Sequence, residues 1–200
     1  MREVAPRVKG LVLDIGCGSK PYESLFEADS YLGVEVFGTV GGADVIYDGV
    51  SLPFADGVFD TVVCNQVLEH VFEPDRFLGE LFRVMRPGAA LLLSVPFVWD
   101  EHEQPNDFAR YTSFGLMSVL NRNGFDVKHH KKLGADASIL CQLANAYIYK
   151  VTLTSPRSVR LFFTLTVVPV FNVMGLIFKC ILPGNPDLYL DQVVISERSV

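Results

Sequence analysis

The stretch Leu11-Val-Leu-Asp14-Ile-Gly16-Cys17-Gly18-Ser19 decides the fold. An apolar run breaks into Gly-x-Gly, the pattern of a strand entering a sharp turn. Glycines at 16 and 18 let the backbone bend tightly and approach a ligand closely. In a doubly wound sheet this turn borders the crevice at the carboxyl ends of the strands. A dinucleotide fingerprint would place a third glycine at position 21, where Pro21 stands. Asp14 adds direction: a buried carboxylate repels a pyrophosphate but suits a cationic amino acid moiety. A donor with an ammonium and a sulfonium, S-adenosylmethionine, fits that charge better than NAD.

Working outward, Tyr31-Leu-Gly-Val-Glu35-Val36 ends a second apolar run in a carboxylate. Its two oxygens can accept from both hydroxyls of a ribose; the plainer alternative is a solvent-facing Glu at a strand end. Further runs cover Asp44–Tyr47, Phe59–Cys64, Ala89–Val95, Phe125–His130 and Leu188–Ser196. Helical periodicity covers Pro74–Met85, with Phe77, Leu78, Leu81, Phe82 and Met85 on one stripe and Pro87-Gly88 as the stop, and then Ser113–Asn121. The alternation predicts a Rossmann-like α/β fold: seven strands, mostly parallel, with helices on both faces. One connection is odd. Only eight residues, rich in glycine, separate Glu35 from Asp44, whereas a parallel crossover normally takes a dozen or more. Either the crossover helix is missing or no strand begins at Asp44.

Two hundred residues, half of them hydrophobic, suit a single α/β domain with a sizeable core. The divisions expected are a cofactor-binding core over 1–135, an apolar helical insertion over 136–183 and a last strand over 187–197. Net charge is −6 with no long Lys/Arg run, which disfavours nucleic acid as a partner. Cys17, Cys64, Cys141 and Cys180 have no C-x-x-C spacing, so reduced thiols and no metal are expected. Met1–Pro6 has no apolar stretch, and a cytoplasmic chain is expected.

Beyond these features, Leu13-Asp-Ile-Gly-Cys-Gly18, Gly33-Val-Glu35, Asp48 with Leu52-Pro-Phe54, Phe59-Asp60, Val67-Leu-Glu-His70 and Val84-Met-Arg-Pro-Gly88 follow one another in fixed order. Over residues 11 to 130 the chain resembles class I S-adenosylmethionine-dependent methyltransferases, specifically the methyltransferase type 11 family. The resemblance implies S-adenosylmethionine as cofactor. Asp14, Gly16, Cys17 and Gly18 would hold its methionine part and Glu35 its ribose. Asp48 would accept from the adenine amino group, with Gly49 and Val50 beside the ring. Asn65 and Gln66 would lie near the sulfonium. Glu35 stands where the family more often has Asp, one methylene shorter.

The loop after the fifth strand carries Trp99, His102, Asp107, Arg110 and Tyr111. Loops there lie over the methyl-donor crevice in this fold, so these residues are the candidate acceptor site. His102 is the candidate base for a hydroxyl acceptor, the alternative being a histidine that ties the loop together. Asp107 and Arg110 either pair with each other, or Arg110 holds an anionic group on the acceptor. The expected activity is methyl transfer to a small-molecule, glycan or lipid-linked acceptor at oxygen. The alternative is a non-catalytic, membrane-associated binding module that keeps the methyltransferase fold.

Residues 161–178 carry no charge and are flanked by Arg157, Arg160 and Lys179. Ala137–Val151 reads as a preceding apolar helix. Eighteen residues just reach the length of a membrane span, but a final strand at Leu188–Ser196 requires the chain to return to the side it left. A helical hairpin is expected over 137–182, packed on the domain, lying on a membrane, or forming a homodimer interface.

Overall fold

The computed structural model describes residues 4–37 and 41–199. Seven strands form one sheet: β1 (Lys9–Ile15), β2 (Glu27–Val36), β3 (Val45–Tyr47), β4 (Phe59–Asn65), β5 (Met85–Pro96), β6 (Phe125–Leu133) and β7 (Asp191–Arg198). Their spatial order is β3-β2-β1-β4-β5-β7-β6. The pairings β3–β2, β2–β1, β1–β4 and β4–β5 are all parallel. The order reverses at β1, and there the glycine turn leaves the sheet, as the crevice rule for doubly wound sheets requires.

The chain divides into two compact units. The first, residues 1–96, 102–131 and 192–200, carries most of the sheet. Because strand side chains alternate, each central strand feeds two cores. Leu13 and Ile15, Val62 and Cys64, and Leu91, Leu93 and Val95 point to one face. They pack on α1 (Pro74–Val84) and α2 (Ser113–Arg122), through Phe77, Leu78, Leu81, Leu116 and Leu120. Val12, Val63 and Leu92 point to the other face and meet Val4, Val8 and Phe26, beside the short 3-10 turns Ala5–Arg7 and Glu23–Leu25. Pro74 opens α1, and the Thr112 hydroxyl caps α2 by accepting from the Gly115 N–H at 3.0 Å.

The odd connection after Glu35 resolves in favour of the strand. Val34, Glu35 and Val36 pair with Val45, Ile46 and Tyr47, and among the described residues no helix joins β2 to β3. The short link suffices because β3 is only three residues long and starts opposite Val34, near the end of β2. Leaving Val36, the chain must retreat by about two strand residues, roughly 7 Å, and step sideways by about 5 Å. Asp44 secures the return. Its N–H donates to the Gly33 carbonyl at 2.9 Å, its carboxylate accepts from the Gly33 N–H at 2.8 Å, and it pairs with the Lys20 ammonium.

A second difference lies at Pro87-Gly88. The expectation made them a stop after a helix reaching Met85. Instead α1 ends at Val84 and β5 starts at once, with Met85 already extended. Proline disfavours helical backbone in the residue before it, so Arg86 continues as strand. The register between β4 and β5 shifts across this segment, between Phe59 and Thr61.

The second unit comprises residues 97–101 and 132–191. It is dominated by α3 (Ser138–Thr152) and by a continuous helix over Arg157–Ile181. The latter is α4 (Arg157–Phe162), a π-helical turn (Phe163–Val167) and α5 (Val168–Ile181). The helices run antiparallel: Ser138 and Cys141 meet Gly175, and Asn145 donates to Asn172 at 2.8 Å. The expected hairpin is therefore present.

Candidate functional site

At the carboxyl ends of β1, β2 and β4 the first unit is hollowed by three cavities that share walls. The first, about 260 Å³, is lined by Asp14, Gly16, Cys17, Gly18, Tyr22 and Asn65 among others. The second, about 300 Å³, shares Gly16 and Gly18 with it and adds Glu35, Gln66, Val67 and His70. The third, about 320 Å³, shares Val36, Tyr47, Val67 and His70 with the second and adds Gly49, Val50, Phe72 and Phe108. Together they make one elongated crevice, polar and acidic at one end and apolar at the other.

Backbone geometry explains the glycine loop. Gly16 sits at φ +66, and a Cβ there would lie 2.5 Å from Val67 Cγ2. Gly18 sits at φ +52, where a side chain would strain the backbone although nothing lies within 4 Å of its Cβ position. The Gly18 N–H donates to Glu35 Oε1 at 2.7 Å. Glu35 thus pins the loop as well as facing the middle cavity. Gln66, directly after β4, lies in the same left-handed region at φ +56, which non-glycine residues rarely adopt and which concentrates at functional sites. Ser94 on β5 orders this corner: its hydroxyl donates to Asn65 Oδ1 at 2.6 Å and accepts from Gln66 Nε2 at 3.3 Å.

Asp14 is 3 % exposed. Burial pushes its carboxyl up to about 6, the Glu35 charge adds to that, and the Tyr31 hydroxyl, donating at 2.6 Å, opposes it together with Lys20. Burial first, then the same two carboxylates, push the Cys17 thiol up to about 11. Cys17 is therefore a lining group without thiolate character. Two buried carboxylates along one crevice, Asp14 at its end and Glu35 at its middle, favour a cationic ligand and oppose a pyrophosphate. Asp48 is exposed and serves first as a turn acid: its Oδ1 accepts from the Val50 and Ser51 N–H groups at 2.8 and 2.9 Å, which hold its pKa low. That turn presents Gly49 and Val50 to the apolar end.

Arg83 on α1 braces the loop that follows. Its guanidinium donates to the carbonyls of Leu52 and Phe54, and to Glu80 and Asp56, all within 2.9 Å. Glu80 in turn accepts from the Leu52 N–H at 2.9 Å.

In the loop after β5, Asp107 and Arg110 pair with each other. Both Asp107 oxygens take a guanidinium N–H, at 2.5 and 2.6 Å, and Asp107 also accepts from the His102 N–H at 2.9 Å. These bonds hold the Asp107 carboxyl far below the usual carboxylate range, Arg110 being the largest cause. The pair shapes the loop. His102 Nδ1 lies 3.4 Å from Asp107 Oδ2, and its ring packs edge-on against His70, centroids 4.9 Å apart. His102 does not line the three cavities; His70 lines two of them. The Tyr111 ring packs on the core, its phenol raised by burial and by the Glu69 charge. Trp99 belongs to the second unit.

His70 is the residue that sequence reasoning passed over. Its Nδ1 lies 2.8 Å from the Asn106 carbonyl, and its Nε2 lies 3.9 Å from both Glu69 Oε1 and Glu103 Oε2. Glu69 is fully buried. Glu69, His70 and His102 also bring one ligand atom each within 4.8 Å of one another, a spacing that could hold a metal ion. The signal for His70 was its place in Leu68-Glu69-His70, one short turn beyond the end of β4.

Residues 13–93 match the family model described as a methyltransferase domain. An uncharacterized methyltransferase of Mycobacterium sp. (strain KMS) is 39 % identical over 99 residues, which cover 44 % of this chain and 39 % of that protein. The match thus spans well under half the length of the curated relatives. Among solved structures, the [4+2]-cyclase SpnF superposes with a TM-score of 0.63 at 16 % identity, covering all of this chain and 79 % of that one. The phosphoethanolamine N-methyltransferase 2 of Haemonchus contortus, in complex with S-adenosyl-L-methionine, gives 0.60 at 11 % identity, covering all of this chain and 51 % of that one. These likenesses establish the fold, on which unlike reactions can be run. The family match falls on β1, the glycine loop, β2, β4 and β5, the segments that build the crevice, and over residues 13–93 the chain is similar to the methyltransferase-domain family.

Proposed function

We propose that this chain catalyses methyl transfer from S-adenosylmethionine to an oxygen of a small-molecule, glycan or lipid-linked acceptor. The observation that carries the reading is the succession of a buried carboxylate, Asp14, at one end of the crevice, a second, Glu35, at its middle, and an apolar far end. An amino acid moiety, a ribose and an adenine call for that succession of surfaces. Asp14, Gly16 and Gly18, with Cys17 alongside, hold the cationic end. Glu35 takes the ribose hydroxyls, Gly49 and Val50 flank the base with Asp48 at its edge, and Asn65 and Gln66 stand by the sulfur. Bound there, the cofactor supplies an electrophilic methyl group on a positively charged sulfur.

An attacking hydroxyl must lose its proton. A backbone carbonyl can only accept, so the contact with Asn106 puts the His70 proton on Nδ1 and leaves the Nε2 lone pair available. Glu69 Oε1 and Glu103 Oε2 each lie 3.9 Å from Nε2. His102, the base expected from sequence, supports the His70 ring from its edge in this reading. The Asp107–Arg110 brace holds the acceptor loop, and Tyr111 remains a candidate acceptor contact.

The test is incorporation of methyl from S-adenosylmethionine into hydroxyl-bearing glycans and detergent-solubilised lipid extracts, followed by mass. His70→Gln should lower kcat by roughly a hundredfold or more while the affinity for S-adenosylmethionine stays unchanged. Full turnover in that variant would remove the base from the mechanism. Transfer to nitrogen or carbon alone would refute the oxygen acceptor.

A further inference from the structure

The helical hairpin has an outer face that its own unit leaves open. Over Arg157–Ile181 only 6 % of the most apolar stretch is buried. Its inner stripe packs on α3, with Gly175 against Ser138 and Cys141, while Leu161, Phe162, Leu165, Val173, Leu176 and Ile177 are exposed. A helix that is apolar on nearly every side is stable only inside protein or lipid.

Charge identifies the occupant. In a chain of net −6, the four charged residues within 137–184, Lys150, Arg157, Arg160 and Lys179, are all positive. Lys150 and Lys179 have acidic partners in Asp100 and Asp136, but a second copy docking through the same face would bring Arg157 and Arg160 of both copies into a poorly solvated contact, which costs energy. A membrane with anionic headgroups gains from the same charges. Tyr147 and Tyr149 on α3 are exposed beside Lys150, the place of aromatic residues at a lipid–water boundary.

Geometry decides how the hairpin lies. The Arg157–Ile181 helix is about 37 Å long at 1.5 Å per residue, enough to cross the roughly 30 Å hydrocarbon core. Both hairpin ends, however, are tied to charged loops. Near the turn, Lys150 pairs with Asp100 at 3.1 Å and donates to the Glu101 carbonyl at 2.8 Å. At the other end, Lys179 lies 3.6 Å from Asp136. Residues 97–101 continue β5 and residues 134–136 continue β6, so a spanning hairpin would drag a strand end across the bilayer.

We propose that the α3–α5 hairpin docks this protein in the plane of an anionic lipid surface, its exposed apolar face in the acyl boundary and Arg157 and Arg160 at the headgroups. The proposal rests on the second unit's own residues, so its failure would leave the methyl-transfer reading intact. The purified full chain is sedimented with phosphatidylcholine vesicles and with vesicles also containing phosphatidylglycerol. It should pellet with the anionic vesicles and be weakened, though not released, by salt. Leu165→Asp with Leu176→Asp should abolish pelleting while circular dichroism and S-adenosylmethionine binding stay unchanged. Arg157→Gln with Arg160→Gln should lower partitioning onto anionic vesicles by roughly tenfold. A wild-type chain that stays in the supernatant with both vesicles overturns the proposal. So does pelleting that survives the Leu165/Leu176 pair, or a stable dimer that this pair dissociates.

Discussion

Replacing Asp14 with Asn removes a buried charge while keeping an oxygen that accepts from the Tyr31 hydroxyl, 2.6 Å away. In the folded protein, without ligand, the Asp14 carboxyl sits at about 6 against an ordinary 3.8, chiefly through burial. About two pH units correspond to roughly 3 kcal/mol. The folded state binds the proton more tightly than the unfolded chain. Asp14 therefore penalises folding little below its unfolded value, and stability falls by up to about 3 kcal/mol as pH rises through about 4 to 6. The amide of Asp14→Asn carries no charge at any pH. The variant should be more stable than the parent at about pH 8, by up to about 3 kcal/mol, with a rise in Tm of several degrees for a chain of this size. The gap should close toward about pH 4. Affinity for S-adenosylmethionine should move the other way, falling more than tenfold, about 1.4 kcal/mol. In the parent protein that affinity should decline as pH drops below about 6, since the cation binds the ionised form. Urea unfolding at the two pH values and calorimetric titration read both effects. A variant less stable at about pH 8, or one with undiminished affinity, would refute the reasoning.

Glu35→Ala should weaken S-adenosylmethionine binding more than tenfold, because it removes the proposed ribose acceptor and the Gly18 N–H partner together. Glu35→Gln keeps an oxygen for Gly18 and should lose less; equal affinities in both, by calorimetry, would separate Glu35 from the site. Arg83→Met should cost about 2 kcal/mol in urea unfolding, since the Leu52 and Phe54 carbonyls and the Glu80 carboxylate lose their shared donor. Because the braced loop follows directly on Asp48–Val50, donor affinity should fall with it; a change in stability alone would show that the brace does not reach the crevice.

What was legible in the sequence was local or periodic. The glycine turn, Asp14 and Glu35 announce themselves because each follows an apolar run, and a parallel strand's carboxyl end has a fixed place in this fold. The hairpin was legible from its uncharged length. What escaped depends on register and on approach between distant segments. Periodicity places a strand at Val45 but not its stagger against β2, and the stagger is what lets eight residues replace a crossover helix. His102 and His70 look alike in sequence. Only the folded chain shows that His70 faces the crevice, with Asn106 orienting its ring and His102 behind it. Asp107 and Arg110, three residues apart, left open whether they meet each other or a ligand; the loop turns them onto each other. The bond from Tyr31 to Asp14 links two strands whose register no motif encodes.

Calorimetric titration of the full chain with S-adenosylmethionine and S-adenosylhomocysteine tests the central claim most directly. Micromolar binding of both, one ligand per chain and lost in Asp14→Asn, is the predicted result. A folded protein that binds neither would contradict the account, and the acidic crevice at the ends of β1 and β2 would need another ligand.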